Sequence, residues 1–330
     1  LKTAVVILNY NGVNHLETFL PSVVKYTPDA EIWVADNGSS DCSVSFLQTN
    51  FPTVNILRLE ENLGFAGGYN HALRHIHAGI YVLLNSDVEV STNWLPPLIE
   101  RLSSDELLAA CQPKIRSFLD KEYFEYAGAA GGFLDKWGYP FCRGRLFRHC
   151  ERDEGQYDIY AEVFWATGAC LAIKSKLFHE ENGFDPVFFA HMEEIDLCWR
   201  LKNNGYKVAC EPASVVYHLG GGTLNTGNPH KTYLNFRNSL LMLYKNLPAG
   251  VALRKILIRL VLDGFSGINY IFLGKWKDCL AIIKAHFSFY RLIGSVQKHK
   301  KANERWLWPH SFVYYYFLRR KRKFSELPND

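Results

Sequence analysis

The eight cysteines of this chain include no Cys-x-x-Cys pair. That spacing argues against a zinc site or a disulfide scaffold, and a reducing compartment is expected. No signal-peptide pattern precedes the apolar, β-branched run of residues 3–8, which reads as a first strand. Leu1 in place of Met is expected to mark a processed or engineered start. No uncharged apolar run reaches the ~20 residues of a spanning helix. The nearest approach, residues 256–273, contains Arg259, Asp263, Gly264 and Gly267, so it is not expected to cross a membrane. The Gly-x-Gly-x-x-Gly fingerprint is missing where the first strand ends; Asn9-Tyr10-Asn11-Gly12 stands there instead. That argues against a dinucleotide-dependent dehydrogenase. There are no internal repeats and no low-complexity linker.

What is present is a 330-residue chain, 48% hydrophobic and 21% charged, long enough for one large domain or two. Aromatic residues make up 15%, many of them late in the chain. Charge is divided unevenly. Residues 1–244 carry a balance of −8 and residues 245–330 a balance of +12. An acidic body with a basic tail points to an anionic surface as a partner of the tail.

The first 110 residues alternate strand and helix patterns. Strands are expected at 3–8, 31–35, 54–57 and 80–84, and helices at 14–26 and 65–77. This rhythm predicts an α/β fold with a Rossmann-like, mostly parallel sheet covered by helices on both faces. Residues 111–160, rich in Gly, Phe, Tyr and Arg, read as a long insertion or lid. A strand is expected at 163–173, a helix at 195–204 with Gly205 as its C-cap, and short closing strands at 208–210 and 215–218. From Tyr233 on the chain reads as helical. The expected division is a catalytic domain over 1–240 and a basic, aromatic-rich helical region over 241–330.

Two acidic signatures carry the chemistry. Leu83-Leu84-Asn85-Ser86-Asp87-Val88-Glu89 ends an apolar run, which places Asp87 at the carboxyl end of a buried strand, where open α/β sheets bind ligands. Asp87 suits Mg²⁺ or Mn²⁺ held with diphosphate oxygens, with Glu89 nearby. Glu193-Glu194-Ile195-Asp196 clusters acids at a helix start, more than dipole matching needs. Asp196 stands one turn from Arg200 and is expected to pair with it, leaving Glu193 and Glu194 for base work. His218 ends a strand and is either a packed residue or a metal ligand. Asp36 closes the second strand in Asp36-Asn37-Gly38-Ser39-Ser40-Asp41, either as part of a strand-turn-helix connection or as a hydrogen-bond acceptor for a base or ribose. Asn62-Leu63-Gly64-Phe65-Ala66-Gly67-Gly68-Tyr69-Asn70 opens a helix with three glycines, which serve either a phosphate or close helix–sheet packing.

Taken in order, residues 5–12, 34–41, 62–70, 83–89 and 183–206 followed by His218 resemble family 2 glycosyltransferases of the GT-A fold, bacterial rhamnosyltransferase-like members above all. The resemblance covers residues 3–240. It implies inverting, metal-dependent transfer from a nucleotide diphosphate sugar, dTDP- or UDP-linked, in cell-surface polysaccharide synthesis. It places Asp36 at the base or ribose, Asn9 and Asn11 along the nucleotide pocket, and Gly64, Gly67 and Asn70 beside them. Asn85-Ser86-Asp87 takes the position of the family's Asp-x-Asp motif, with Asn replacing the first Asp. Glu194 matches the usual base, where Asp is more frequent. His218 matches a position that completes the metal shell, and Trp165 and Gly168 match the acceptor-side strand. Mg²⁺ or Mn²⁺ is the implied cofactor, and a saccharide or polyprenyl-linked molecule the implied acceptor.

A nucleotidyltransferase would show a Gly-rich loop with Arg and Lys after the first strand, and none is there. A catalytically inactive sugar-nucleotide-binding or scaffold protein at the membrane is the alternative; Asp87, Glu194 and His218 argue against it. Trp306-Leu307-Trp308-Pro309 leads through an aromatic stretch into Arg319-Arg320-Lys321-Arg322-Lys323. These residues either touch an anionic membrane through 306–323 or pack a helical subdomain. The expected location is the cytoplasm, peripheral on the inner face of the cell membrane. No nucleic-acid partner is expected.

Overall fold

The computed structural model describes residues 1–220 and 228–328. The chain opens with β1 (Thr3–Asn9), α1 (Val13–Tyr26), β2 (Glu31–Asp36), α2 (Ser43–Asn50), β3 (Asn55–Arg58), α3 (Gly64–Leu73) and β4 (Ile80–Asn85). β1 and β4 are buried almost residue for residue, which is why they read as continuous apolar runs rather than alternating ones. α1 turns Leu16, Phe19, Leu20 and Val23 onto the sheet. The chain continues through β5 (Val88–Val90), α4 (Pro96–Ser104) and β6 (Leu108–Ser117), then β7 (Gly132–Leu134), β8 (Pro140–Cys142), β9 (Arg145–Leu146) and β10 (His149–Cys150). β11 (Ala161–Glu162), β12 (Cys170–Lys174), α5 (Ser175–Glu180), α6 (Glu193–Asn203) and β13 (Lys207–His218) follow. The C-terminal part is helical: α7 (Pro229–Asn246), α8 (Ala249–Phe272), α9 (Trp276–Leu292) and α10 (Phe312–Phe317).

The main sheet runs β11-β13-β6-β12-β4-β1-β2-β3, with β5 on β13. β3, β2, β1 and β4 are mutually parallel, and β13 is parallel to β6. β12 is antiparallel to both β4 and β6, so one reversed strand separates two parallel blocks. One apolar core, with Leu16, Leu20, Leu98 and Leu102, fills the face under α1 and α4. A second, with Tyr69, Trp199, Leu240 and Leu243, fills the face under α3, α6 and α7.

Several expectations are corrected. Residues 111–160 are not a lid. β6 lies inside the main sheet, and β7 to β10 form a second, antiparallel sheet of four strands. The strand expected over 163–173 is only β12, because the chain around Thr167 leaves the ladder to meet Gln112: its backbone N–H donates to Gln112 Oε1 at 3.0 Å. The two closing strands are one, β13, with a register shift between Glu211 and Val215. The boundary expected at residue 240 falls inside α7, which packs into the main core. The late aromatics form a core of their own. Trp308, Phe312 and Tyr316 are buried against Phe141 and Leu146 of the small sheet, so the stretch from Trp306 to Tyr316 is mostly packing. No described helix is long and apolar enough to cross a membrane.

Candidate functional site

The register Asn9↔Asp36 and Leu8↔Asn85 brings the carboxyl ends of β1, β2 and β4 to one edge. There Asn9 Nδ2 donates to Asp36 Oδ1 at 3.0 Å, and the Ser39 N–H donates to Asp36 Oδ2 at 3.1 Å. The Asn9 carbonyl oxygen of the side chain is buried with no partner. Asn11, in the left-handed region at φ 49°, accepts from the Ser40 and Asp41 N–H groups at 2.8 and 3.3 Å. Asp41 in turn accepts from Val13 and Ser43 at the starts of α1 and α2. The two turns thus brace each other and hold Asp36 at the mouth of the sheet.

α3 begins beneath this edge. Gly64 has φ +71°, and a Cβ there would lie 2.6 Å from the Phe189 ring and 2.7 Å from its carbonyl oxygen. That carbonyl accepts from the Phe65 and Ala66 N–H groups at 2.8 and 3.2 Å, capping the helix. A Cβ at Gly68 would meet Leu8 at 2.8 Å, and one at Gly67 would meet Leu63 at 2.9 Å. Close packing therefore uses all three glycines. Asn70 donates to the Phe184 carbonyl at 2.6 Å and accepts from its N–H at 2.9 Å, which commits both ends of its amide. Asn37, which sequence reasoning passed over, ties the β2 turn to this region through Asn62 and Gly64.

Asp87 follows β4 in the turn to β5. Its Oδ1 lies 3.1 Å from His218 Nε2, and His218 Nδ1 lies 3.1 Å from Glu125 Oε2. All three are buried. Burial opposes charge on Asp87, but the imidazolium beside it wins and holds the carboxyl below its usual range. Burial likewise opposes charge on His218, and the two carboxylates overcome it, raising the imidazole to about 10. Glu125 was not foreseen; it stands in the irregular stretch before β7. Glu89 is ion-paired with Lys121, on the outer side of β5. Among the described residues no three His, Cys, Asp or Glu side chains gather to hold a metal by themselves. Asp87 and His218 nevertheless fit a divalent cation that displaces the Nε2 proton and takes its remaining ligands from diphosphate oxygens and water. Glu125 stands on the far-nitrogen side of the imidazole, the place of carboxylates behind metal-bound histidines, at 3.1 Å but without an aligned hydrogen bond.

Glu193 and Glu194 open α6, directly after a loop in which Phe189, His191 and Met192 all have positive φ, 63°, 69° and 74°. Three non-glycine residues in that region are strained and persist only where surroundings over-determine them. α7 supplies the restraint: Asn238 Nδ2 lies 2.9, 2.8 and 2.7 Å from the carbonyl oxygens of Phe188, Ala190 and His191. Arg237 adds donors to Val187 and Phe188. Below the loop, Asp196 receives Arg200 at 2.8 Å, Lys245 at 2.9 Å and Asn246 at 2.7 Å. The Asp196–Arg200 pair read from the sequence is present and belongs to this larger network. Arg237, Asn238, Lys245 and Asn246 were missed. Their signal was the polar residues, Asn235, Arg237, Asn238, Ser239, Lys245 and Asn246, interrupting the apolar stretch of 234–247.

Each glutamate has one buried, unpartnered oxygen, Glu193 Oε2 and Glu194 Oε2. Burial raises the Glu194 carboxyl to about 7, against backbone N–H groups that favour its charge, including that of Gly168. Burial, with Glu194 alongside, holds Glu193 well above the usual range. A Cβ on Gly168 would sit 3.9 Å from Glu194 Cδ. Gly168 precedes Ala169, whose carbonyl accepts from the Asn85 N–H at 3.0 Å. The Glu194 carboxylate therefore borders the same strand end that leads to Asp87. Trp165 is only 4% exposed and donates its indole N–H to the Phe133 carbonyl at 3.0 Å. It packs over Gly132 in the core.

Residues 4–180 match the model of Glycosyl transferase family 2. The chain belongs to that family, and its fold is GT-A. Its relatives include the N-acetylglucosaminyl-diphospho-decaprenol L-rhamnosyltransferase of Mycobacterium tuberculosis, 28% identical over 233 residues, 65% of this chain and 75% of that protein. Among solved structures it is similar to the mannosyltransferase PcManGT from Pyrobaculum calidifontis in complex with GDP-Man and Mn²⁺, with TM-score 0.54, 14% identity, and 88% and 87% of the two chains covered. It is also similar to S. aureus TarS 1–349 in complex with UDP-GlcNAc, with TM-score 0.57, 14% identity, and 89% and 82% covered.

Proposed function

We propose that this glycosyltransferase moves a sugar, with inversion, from a dTDP- or UDP-sugar to a hydroxyl of a lipid-linked saccharide in cell-surface polysaccharide synthesis. The observation that carries the reading is the Glu194 carboxylate, raised to about 7 by burial, with one oxygen free beside Gly168. A base of that strength is half-ionised near neutrality and takes a proton efficiently. Glu194 Oε2 accepts the proton of the acceptor hydroxyl as its oxygen bonds to the anomeric carbon. The bond to the nucleotide diphosphate breaks, and its electron pair leaves with the diphosphate. Glu193, held protonated by burial, keeps negative charge from accumulating beside the base. Asn9, Asn11 and Asp36 line the nucleotide pocket, and Gly168 lies on the acceptor side.

Asp87 and His218 would hold Mg²⁺ or Mn²⁺, with Glu125 behind the imidazole. When bound, the cation offsets charge on the leaving diphosphate. The structures of PcManGT with GDP-Man and of TarS with UDP-GlcNAc support a nucleotide sugar as donor. The Mycobacterium tuberculosis relative, a rhamnosyltransferase acting on a decaprenol-linked saccharide, supports a polyprenyl-linked acceptor. The test is a thermal-shift screen of dTDP-, UDP- and GDP-sugars with Mn²⁺, followed by turnover with a polyprenyl-diphosphate saccharide. One donor should raise the melting temperature by selective binding to the folded state. Stabilisation by a nucleotide sugar with no turnover on any acceptor would favour the inactive binding protein instead.

A further inference from the structure

α8 and α9 form an antiparallel hairpin that leaves one apolar face uncovered. On α8 the exposed residues Leu253, Leu257, Val261, Phe265, Ile268 and Phe272 recur every three or four positions, a single stripe along the helix. On α9 Trp276, Leu280, Ile283, Phe287 and Tyr290 repeat the pattern. The connecting tip is exposed without interruption from 271 to 277, with Phe272 85% and Trp276 58% accessible. Both helices bury a different face, α8 through Ile256 and Gly267 and α9 through Ala281, Ala285 and Phe289. The outward stripe is therefore surplus to the fold. Contiguous exposed apolar surface of this kind marks an interaction site.

Charge decides the partner. The exposed cations on the hairpin are Arg254, Lys275, Lys277, Lys284 and Arg291. Its two acids, Asp263 and Asp278, are buried and engaged with Tyr139 and Thr232. A second copy docking on this face by two-fold symmetry would set the patch against itself, cation against cation. An anionic lipid surface neutralises those cations, and acyl chains accept Phe, Trp, Leu and Ile at the headgroup boundary. Between the helices an open cleft of about 500 Å³, lined by Leu260, Gly264, Ile268 and Ile282 with the Asp263–His286 pair, is mostly apolar and can receive a hydrocarbon tail.

We propose that the α8–α9 hairpin docks the protein on an anionic bilayer, its tip inserted at the headgroup level and its axis lying along the surface. This assignment differs from the aromatic stretch after Trp306, whose rings are largely consumed by packing. It stands on the hairpin alone, independent of the sugar-transfer reading, and its test involves no turnover.

The test is flotation of the full chain with vesicles of phosphatidylcholine alone or mixed with phosphatidylglycerol. Wild type should float with the mixed vesicles and be released by high salt. K275Q/K277Q/K284Q should weaken binding roughly a hundredfold, about fivefold for each cation lost. F272S/W276S, at exposed positions, should keep the wild-type melting temperature and lose flotation. Replacing residues 319–323 with Ser should weaken flotation less than either hairpin variant. The proposal is overturned if wild type stays unbound, or if F272S/W276S floats as well as wild type. It is also overturned if loss of binding follows only the 319–323 replacement, or if sedimentation shows a dimer that the hairpin variants dissociate.

Discussion

The Asn238 side-chain nitrogen lies 2.7 Å from the His191 carbonyl oxygen, joining a helix of the C-terminal region to the loop that aims the acidic pair. The same nitrogen reaches Phe188 and Ala190, and the three left-handed residues of that loop end directly at Glu193. Removing the donor strips the half-buried Ala190 and His191 carbonyls of this partner and leaves that of Phe188 still held by Arg237, at about 1–3 kcal/mol. Asn238→Leu is expected to lower the unfolding midpoint and to reduce kcat more than it raises donor KM. A variant that loses stability with kcat unchanged would show that Glu194 holds its position without this clamp.

Glu194→Gln should cost about 10²–10⁴-fold in turnover while nucleotide-sugar binding persists, because the amide keeps the shape and cannot take a proton. Wild-type turnover should rise through pH about 7 as the carboxyl ionises. Stability should move the other way. The folded value lies above the ordinary 4.5, so the folded state binds more protons and stability falls as pH rises from about 4.5 to about 7. Denaturant melts at pH 8 should therefore find Glu194→Gln at least as stable as wild type. If Glu193→Gln is the inactive variant and Glu194→Gln retains turnover, the roles within the pair are reversed.

Asp87→Ala and His218→Ala are each expected to weaken Mn²⁺-dependent donor binding, read by calorimetric titration of Mn²⁺ with nucleotide. Their 3.1 Å contact at the strand ends motivates the pairing. Glu125→Gln should have a smaller effect in the same direction, as loss of an orienting partner typically costs about 10–100-fold in metal affinity. Unchanged metal affinity in both Asp87 and His218 variants would remove them from the metal shell.

Asp196→Ala removes the anion that Arg200 and Lys245 share in the core between α6 and α7. Breaking such a buried pair costs about 3–5 kcal/mol. Burial opposes charge on Asp196, but Lys245 and Arg200 hold its carboxyl below the ordinary value. Its stabilisation is thus present above pH about 3.8 and fades as pH falls through the depressed folded value. Urea melts at pH 7 and pH 3 should show the variant's deficit shrinking in acid. An undiminished deficit at pH 3 would mean that packing, and not charge, accounts for it.

The strand-helix alternation of the first 110 residues was legible because a parallel sheet buries both faces of its strands, so β1 and β4 appear as unbroken apolar runs. The ends of those runs located Asn9, Asp36, Asn85 and Asp87, since side chains at strand termini need no partner from far along the chain to be placed. The acids opening α6 were legible for the same local reason. Residues 111–160 were not, because β7 to β10 are two or three residues each and become strands only by pairing with one another and by receiving Phe312 and Trp308 from the far end of the chain.

The sequence alone thus determined the fold class, the sheet edge that carries the candidate site, and the two acidic clusters. Tertiary structure decided what those residues experience. Gly64 and Gly67 serve close packing and Asn70 holds the Phe184 backbone, because α3 is pressed under Phe189 and against β1. Glu194 acquires its raised carboxyl from burial that no local motif encodes. Glu125, Asn238 and Lys245 act across separations of 47 to 93 residues, distances at which pattern can flag a polar residue in an apolar stretch but not its partner, which only chain packing sets. The apolar stripe of α8 and α9 makes the same point. Spacing marks it as one helix face, and only the folded chain leaves that face open.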